Sequence, residues 1–200
     1  MSTTLKPPEI NTKAKEVVDN MVGRIVFDEP FFAVILNRQR RVQDPSCDTM
    51  WVDGTSLGYN PDFALSLSRD ELKGVLIHEV MHLVHLHHLR RESRDPFNWN
   101  VAGDYVINQQ LTDARYALPE GALLDSRYKG MLTEEVYRGL PPKPPGGGNG
   151  SGGTGDNPMG EVRDQKNPDG SNLSSGESQV AAQNMKVTIN QAYEAAKSQG

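Results

Sequence analysis

A chain of 200 residues is long enough for one well-cored domain with appendages, and a second compact domain would be crowded. Its 21 basic and 26 acidic residues leave a formal charge of -5, without the basic footprint that nucleic acid or an anionic membrane surface recruits. The single cysteine, Cys47, cannot close an internal disulfide, which favours a reducing interior. The polar, proline-bearing start, Met1 to Ile10, lacks the apolar core of a signal peptide, and no segment approaches the ~20 apolar residues of a membrane span. The expectation is a soluble, cytoplasmic protein with no nucleic acid and no membrane among its partners.

From Thr12, Val17, Val18, Met21, Val22 and Ile25 recur at helical spacing, which predicts a first helix to about Phe27. Pro30 stops or restarts it, and the apolar run Phe31 to Leu36 fits a brief helix better than a strand because proline suits a first turn. Between Thr49 and Tyr59, the β-favouring Trp51, Val52, Leu57 and Tyr59 flank Asp53-Gly54, a pair that favours a tight antiparallel hairpin. Ser68-Arg69-Asp70-Glu71 is a capping box, so a central helix starts at Ser68 and is expected to continue to about Arg91. Asp95-Pro96 opens another helix, with Val101, Tyr105, Val106 and Leu111 on its apolar side. Thr133 to Leu140 forms one more short helix, ended by Pro141-Pro142.

Composition then divides the chain. Residues 1–140 make the domain, and 141–176, rich in glycine, proline, serine, asparagine and aspartate, are expected to be a flexible linker or long surface loop. Residues 177–200 carry Met185, Ile189, Ala192 and Ala196 on one helical stripe, an amphipathic helix expected to lead into a further C-terminal region. No internal repeat is visible. The fold class is α+β, mainly helical, with a small antiparallel hairpin or sheet.

All five histidines lie between His78 and His88. Within that window, His78-Glu79-Val80-Met81-His82 places two imidazoles four residues apart on one helical face, with Cβ atoms about 5–6 Å apart, close enough to share one zinc ion (Zn2+). Glu79 projects beside that position, where a carboxylate can take a proton from an activated water. The alternative is that these histidines simply pack in a core. A catalytic zinc takes three protein ligands and leaves one position open, so a third must come from elsewhere. His85 shares the face, but about 10 Å of helix rise separates it from His78, too far for one ion with His82 between them. His87 and His88 are read as solvated or as supports behind the ligands. Asp104 is better placed, because Asn100, Asp104 and Asn108 form a polar stripe at i, i+4 and i+8 on the next helix. Either that stripe faces solvent, or Asp104 binds metal while an asparagine orients a ligand histidine through its outer nitrogen. Peptide deformylases use an upstream cysteine as third ligand, but Asp44-Pro45-Ser46-Cys47-Asp48 does not match their glycine-cysteine-leucine context, so Cys47 is read as a bystander.

Val52-Asp53-Gly54, Tyr59-Asn60-Pro61, His78 to His82, and Trp99-Asn100-Val101-Ala102-Gly103-Asp104-Tyr105-Val106-Ile107-Asn108 occur in this order. Together with Leu118-Pro119-Glu120-Gly121 and Thr133-Glu134-Glu135-Val136-Tyr137, they resemble the metallopeptidase domain that precedes a von Willebrand factor A-like domain in bacterial and phage proteins. The resemblance covers about residues 12 to 140. It implies a zincin-like core, zinc held by His78, His82 and Asp104, and Glu79 as catalytic base. It also implies a C-terminal domain absent from this chain, through which a protein partner could be recruited. No established substrate comes with it.

The expected reaction is peptide-bond hydrolysis, with Glu79 moving a proton from water to the leaving amine and the substrate an extended peptide or protein pairing beside Met50 to Tyr59. Tyr59, Tyr105, Tyr116 and Tyr128 are candidate oxyanion donors but are more often core aromatics, and none is assigned to the site. Two other functions use the same residues: a zinc-braced binding or scaffold module without catalysis, and a zinc amidase acting on a non-peptide substrate.

Overall fold

The computed structural model describes residues 10–141 and 160–199. Its first helix, α1 (Thr12–Asp28), is capped by Asn11, whose side chain accepts from the Ala14 amide, and it buries Ala14, Val18, Met21, Val22 and Ile25. Pro30 begins α2 (Pro30–Leu36) at the position where its missing N–H costs nothing. Two elements follow that hydrophobic pattern does not announce. Strand β1 (Arg40–Gln43) is too polar to stand out, and α3 (Pro61–Ser66) is a single short helix started by Asn60, which accepts from Asp62 and Phe63 amides.

The expected hairpin is present as β2 (Met50–Val52) and β3 (Ser56–Tyr59), antiparallel, with Trp51 opposite Gly58. Asp53 holds the turn by accepting from the Thr55 and Ser56 amides. With β1 and the short β4 (Glu161–Val162), the hairpin is the centre of a larger mixed sheet in the order β1-β3-β2-β4. β1 runs parallel to β3, and β4 runs parallel to β2.

Helix α4 (Arg69–Val84) starts at the predicted capping box, and it is buried nearly all round: Leu72, Val75, Leu76, Ile77, Val80 and Leu83 lie in the main core beside His78, Glu79 and His82. A helix covered on every side needs no amphipathic stripe. It ends earlier than its sequence pattern suggests. His85 closes it, Leu86 takes the left-handed conformation at φ 57°, and a separate turn of helix, α5 (His87–Arg90), leaves in a new direction. That conformation costs a leucine about 1 kcal/mol, and in exchange His87 is folded back against His82 (Nδ1 to Nδ1, 2.9 Å).

Asp95 caps α6 (Pro96–Asp113) by accepting from the Asn98 amide. Helix α7 (Thr133–Gly139) packs on α6 through a small cluster of Ala102, Val106 and Val136. The last helix, α8 (Ser175–Gln199), lays Met185 and Ala192 into the main core and runs along α2, where Arg38 donates to Thr188 and Gln191. Its apolar stripe therefore packs on the same domain. Of the segment expected to be a flexible linker or long surface loop, residues 142–159 lie outside the described residues, and residues 160–174 are mostly irregular but locally ordered. They supply β4 and an antiparallel bridge between Lys166 and Asn172, because hydrogen bonds to Asn100, Val52 and His88 replace the apolar burial that the composition lacks. No helix among the described residues is long and apolar enough to cross a membrane.

Candidate metal centre

Two helices build the site. α4 presents His78 and His82 one turn apart, and α6 faces them with Asp104; all three are completely buried. His82 Nε2 lies 3.0 Å from His78 Nε2 and 3.1 Å from Asp104 Oδ1, and His78 Nε2 lies 3.3 Å from the same oxygen. Among the described residues these three form the group of side chains that could hold a metal ion. The polar stripe of α6 faces inward, and the solvent-facing alternative for it is excluded: Asn100 is 3% exposed and Asp104 and Asn108 not at all.

Hydrogen bonds behind the cluster fix which nitrogens point into it. Asn108 Nδ2 donates to the Leu123 carbonyl (3.1 Å), which turns its Oδ1 toward His78 Nδ1 at 2.9 Å. That nitrogen therefore carries a proton, and Nε2 is the ring nitrogen that faces the cluster. For His82 the equivalent support is His87. With the proton on His82 Nδ1, His87 accepts on Nδ1 and donates from Nε2 to Thr133 Oγ1 (2.9 Å). His87 is held in turn by packing against Trp99, whose Nε1 donates to the His87 carbonyl. Gly103 makes this arrangement possible. A Cβ there would lie 2.9 Å from His87 Nδ1 and 3.2 Å from His82 Cε1.

The electrostatics select a cation. Burial lowers the pKa of His82 to about 4 although the Asp104 carboxylate beside it acts to raise it, so the ring is neutral at pH 7. Burial works against ionising Asp104, yet the two histidines hold its carboxyl down at about 2. Two imidazole Nε2 atoms and a carboxylate oxygen thus converge within 3.3 Å, a donor set that a single cation between them would satisfy.

Glu79 sits beside this cluster, fully buried, and neither of its carboxylate oxygens has a hydrogen-bond partner. Burial, with the charges of Asp104 and Glu161, pushes its pKa well above the usual carboxylate range. The glycine of the returning segment lies directly on it: a Cβ on Gly160 would fall 1.9 Å from Glu79 Oε1.

Other candidates fall outside the cluster. His85 pairs with Gln110 Oε1 at 2.9 Å. His88 is 2% exposed with neither ring nitrogen bonded, so it and His87 are buried, not solvated. Cys47 directs its thiol to the Asp44 carbonyl at 3.1 Å. Tyr59 receives a hydrogen bond from Gln43, while Tyr105 and Tyr128 pack ring against ring. Sequence reasoning gave Thr133, Gly103 and Gly160 no role in the site. A glycine inside the α6 pattern is a usable signal of close packing, whereas Thr133 and Gly160 arrive from distant segments with no local mark.

Residues 13–200 match the family described as "Putative metallopeptidase domain". No curated protein matches the chain, and no solved structure does.

Proposed function

The chain belongs to this metallopeptidase-domain family, and from that premise we propose that it is a zinc-dependent peptidase with His78, His82 and Asp104 as zinc ligands and Glu79 as general base. The observation that carries the proposal is the Glu79 carboxylate, buried without a hydrogen-bond partner next to three converging metal donors. An unpaired buried carboxylate is costly, and a metal that only braced two helices would give no reason to keep one.

The donors fit zinc. Tetrahedral ligands at 2.0–2.1 Å from the ion stand about 3.3 Å from one another, and the three edges here are 3.0, 3.1 and 3.3 Å. Two nitrogens and one carboxylate oxygen are the ligand set of many catalytic zinc sites. When bound, the ion supplies Lewis acidity and stabilises negative charge on the carbonyl oxygen under attack. Glu79 accepts one proton from the attacking water as the new carbon–oxygen bond forms. It then delivers that proton to the amine nitrogen as the carbon–nitrogen bond breaks, so the carboxylate is regenerated. Asn108, and His87 with Thr133 behind it, keep the two imidazoles in the tautomer that binds metal.

The test is digestion of a mixed peptide library by the zinc-loaded chain beside its zinc-loaded Glu79→Gln variant, read by mass spectrometry. New termini with the native chain and none with the variant are expected. Equal absence of cleavage from both, each holding one zinc and tested again with Arg163→Ala and Asp164→Ala added to loosen the segment whose Gly160 covers Glu79, would favour a bracing metal and contradict the proposal.

A further inference from the structure

The segment after residue 160 is bound to the site as a peptide ligand would be. β4 adds to the outer edge of β2 by main-chain pairing, with Trp51 opposite Glu161 and Val52 opposite Val162, and the Arg163 amide donates to the Val52 carbonyl. Side chains alternate as in a bound strand: Glu161 is exposed, while Gly160 and Val162 are buried. On the opposite side, Asn100 clamps the backbone at two points. Its Nδ2 donates to the Gly160 carbonyl at 2.6 Å, and its Oδ1 accepts from the Val162 amide at 2.8 Å. Further along, the Gln165 amide donates to the His88 carbonyl. The segment's own side chains add tethers: Asp164 pairs with Arg91, and Arg163 stacks 4.2 Å above the Trp51 ring while reaching Asp44.

These contacts have two consequences. Gly160 covers Glu79 so closely that a side chain there would have to displace the Glu79 carboxyl group, and every residue of the metal cluster is sealed from solvent. The edge of β2, where an extended peptide would otherwise add, is already taken.

We propose that residues 160–165 are an intramolecular peptide ligand, occupying the groove between the β2 edge and Asn100 that an extended substrate must enter to reach Glu79. The word substrate rests on the peptidase reading, whereas the groove and its occupant do not. The groove recognises backbone through β2 and Asn100, requires glycine against Glu79, and accepts a branched aliphatic side chain two residues on. Because the ligand is tethered, its effective concentration is on the order of millimolar, and a free peptide competes poorly until the tethers are weakened.

Two measurements on the full chain test this. In native-state hydrogen exchange of the unaltered protein, the amides of Val162, Arg163 and Gln165 are expected to exchange at least ~100-fold faster than those of Ile77 and Val80 in α4, through an opening the core does not share. Exchange of both sets at one common rate would make the segment part of the core and overturn the proposal. The second measurement is binding of a fluorescein-labelled peptide of residues 160–166, followed by anisotropy. The Arg163→Ala/Asp164→Ala double variant is expected to bind it at least ~10-fold more tightly than the native chain does. The same peptide with valine in place of its glycine is expected not to bind. A folded double variant that ignores the peptide, or binds both peptides alike, overturns the proposal. Both measurements are made with and without zinc, so a chain that fails to bind the metal defeats the peptidase reading alone and leaves this result to stand or fall by itself.

Discussion

Replacing Asn108 by leucine removes a support of the metal centre without touching a ligand. In the native chain Asn108 is completely buried, accepts from His78 Nδ1 at 2.9 Å and donates to the Leu123 carbonyl at 3.1 Å. Leucine has a similar size, leaves no room for a water, and strands both partners. Each buried group left unpaired costs about 1–3 kcal/mol, so the metal-free variant should lose roughly 2–6 kcal/mol in urea unfolding. His78 can also turn or change tautomer once its outer nitrogen is free, which withdraws the Nε2 lone pair from the cluster. Loss of such a support weakens metal binding by about 10–100-fold. Competition with a chromophoric chelator measures that change directly. Asn108→Asp is the control, since it keeps the acceptor for His78 and should retain most of the affinity. Zinc binding by Asn108→Leu within twofold of the native chain would refute the claim that this contact sets the histidine.

Gly103→Ala should act on the other imidazole pair. Its Cβ would press on His87 Nδ1 at 2.9 Å and on His82 Cε1 at 3.2 Å, so a stability loss of about 1–3 kcal/mol by overpacking should accompany weaker zinc binding, and an unchanged chelator titration would contradict it. The Cys47 thiol, which burial foremost pushes from 9.0 up to about 12, should resist alkylation. At pH 8 its thiolate fraction in the folded chain is on the order of a thousandfold below that of the unfolded chain, so rapid labelling by iodoacetamide of the native protein would show the thiol to be neither buried nor suppressed. The sign also fixes a stability trend: the folded state holds this proton more tightly, so stability should fall as pH rises from about 9 toward 12, and urea midpoints that stay level across that range would contradict the shift.

Much of the centre is legible in the sequence, because a helix converts spacing into direction. His78 and His82 share a face by period alone, the capping box marks where that helix begins, and the inward stripe of Asn100, Asp104 and Asn108 follows the same rule on α6. Local chemistry also marks the hairpin through Asp53-Gly54 and the start of α6 through Asp95-Pro96. What local pattern does not carry is tertiary compensation. The break at Leu86 is unmarked, since leucine rarely takes a positive φ and does so here because His87 gains a buried partner in His82. Strand β1 is polar because Arg40 and Arg41 are exposed and Val42 and Gln43 only half-buried, so its single apolar residue gives periodicity nothing to detect. Residues 160–165 look like linker by composition, and they are ordered by hydrogen bonds to Asn100, Val52 and His88 that lie far away in sequence. A residue-by-residue scale of hydrophobicity cannot register a strand held in that way.

The most direct measurement of the proposed zinc centre is elemental analysis of the purified full chain beside His82→Ala, Asp104→Ala and Cys47→Ser. About one zinc per native chain is expected, lost in His82→Ala and Asp104→Ala and kept in Cys47→Ser. A folded native chain that takes up no zinc when the metal is resupplied would contradict the account, and so would zinc that survives the loss of Asp104.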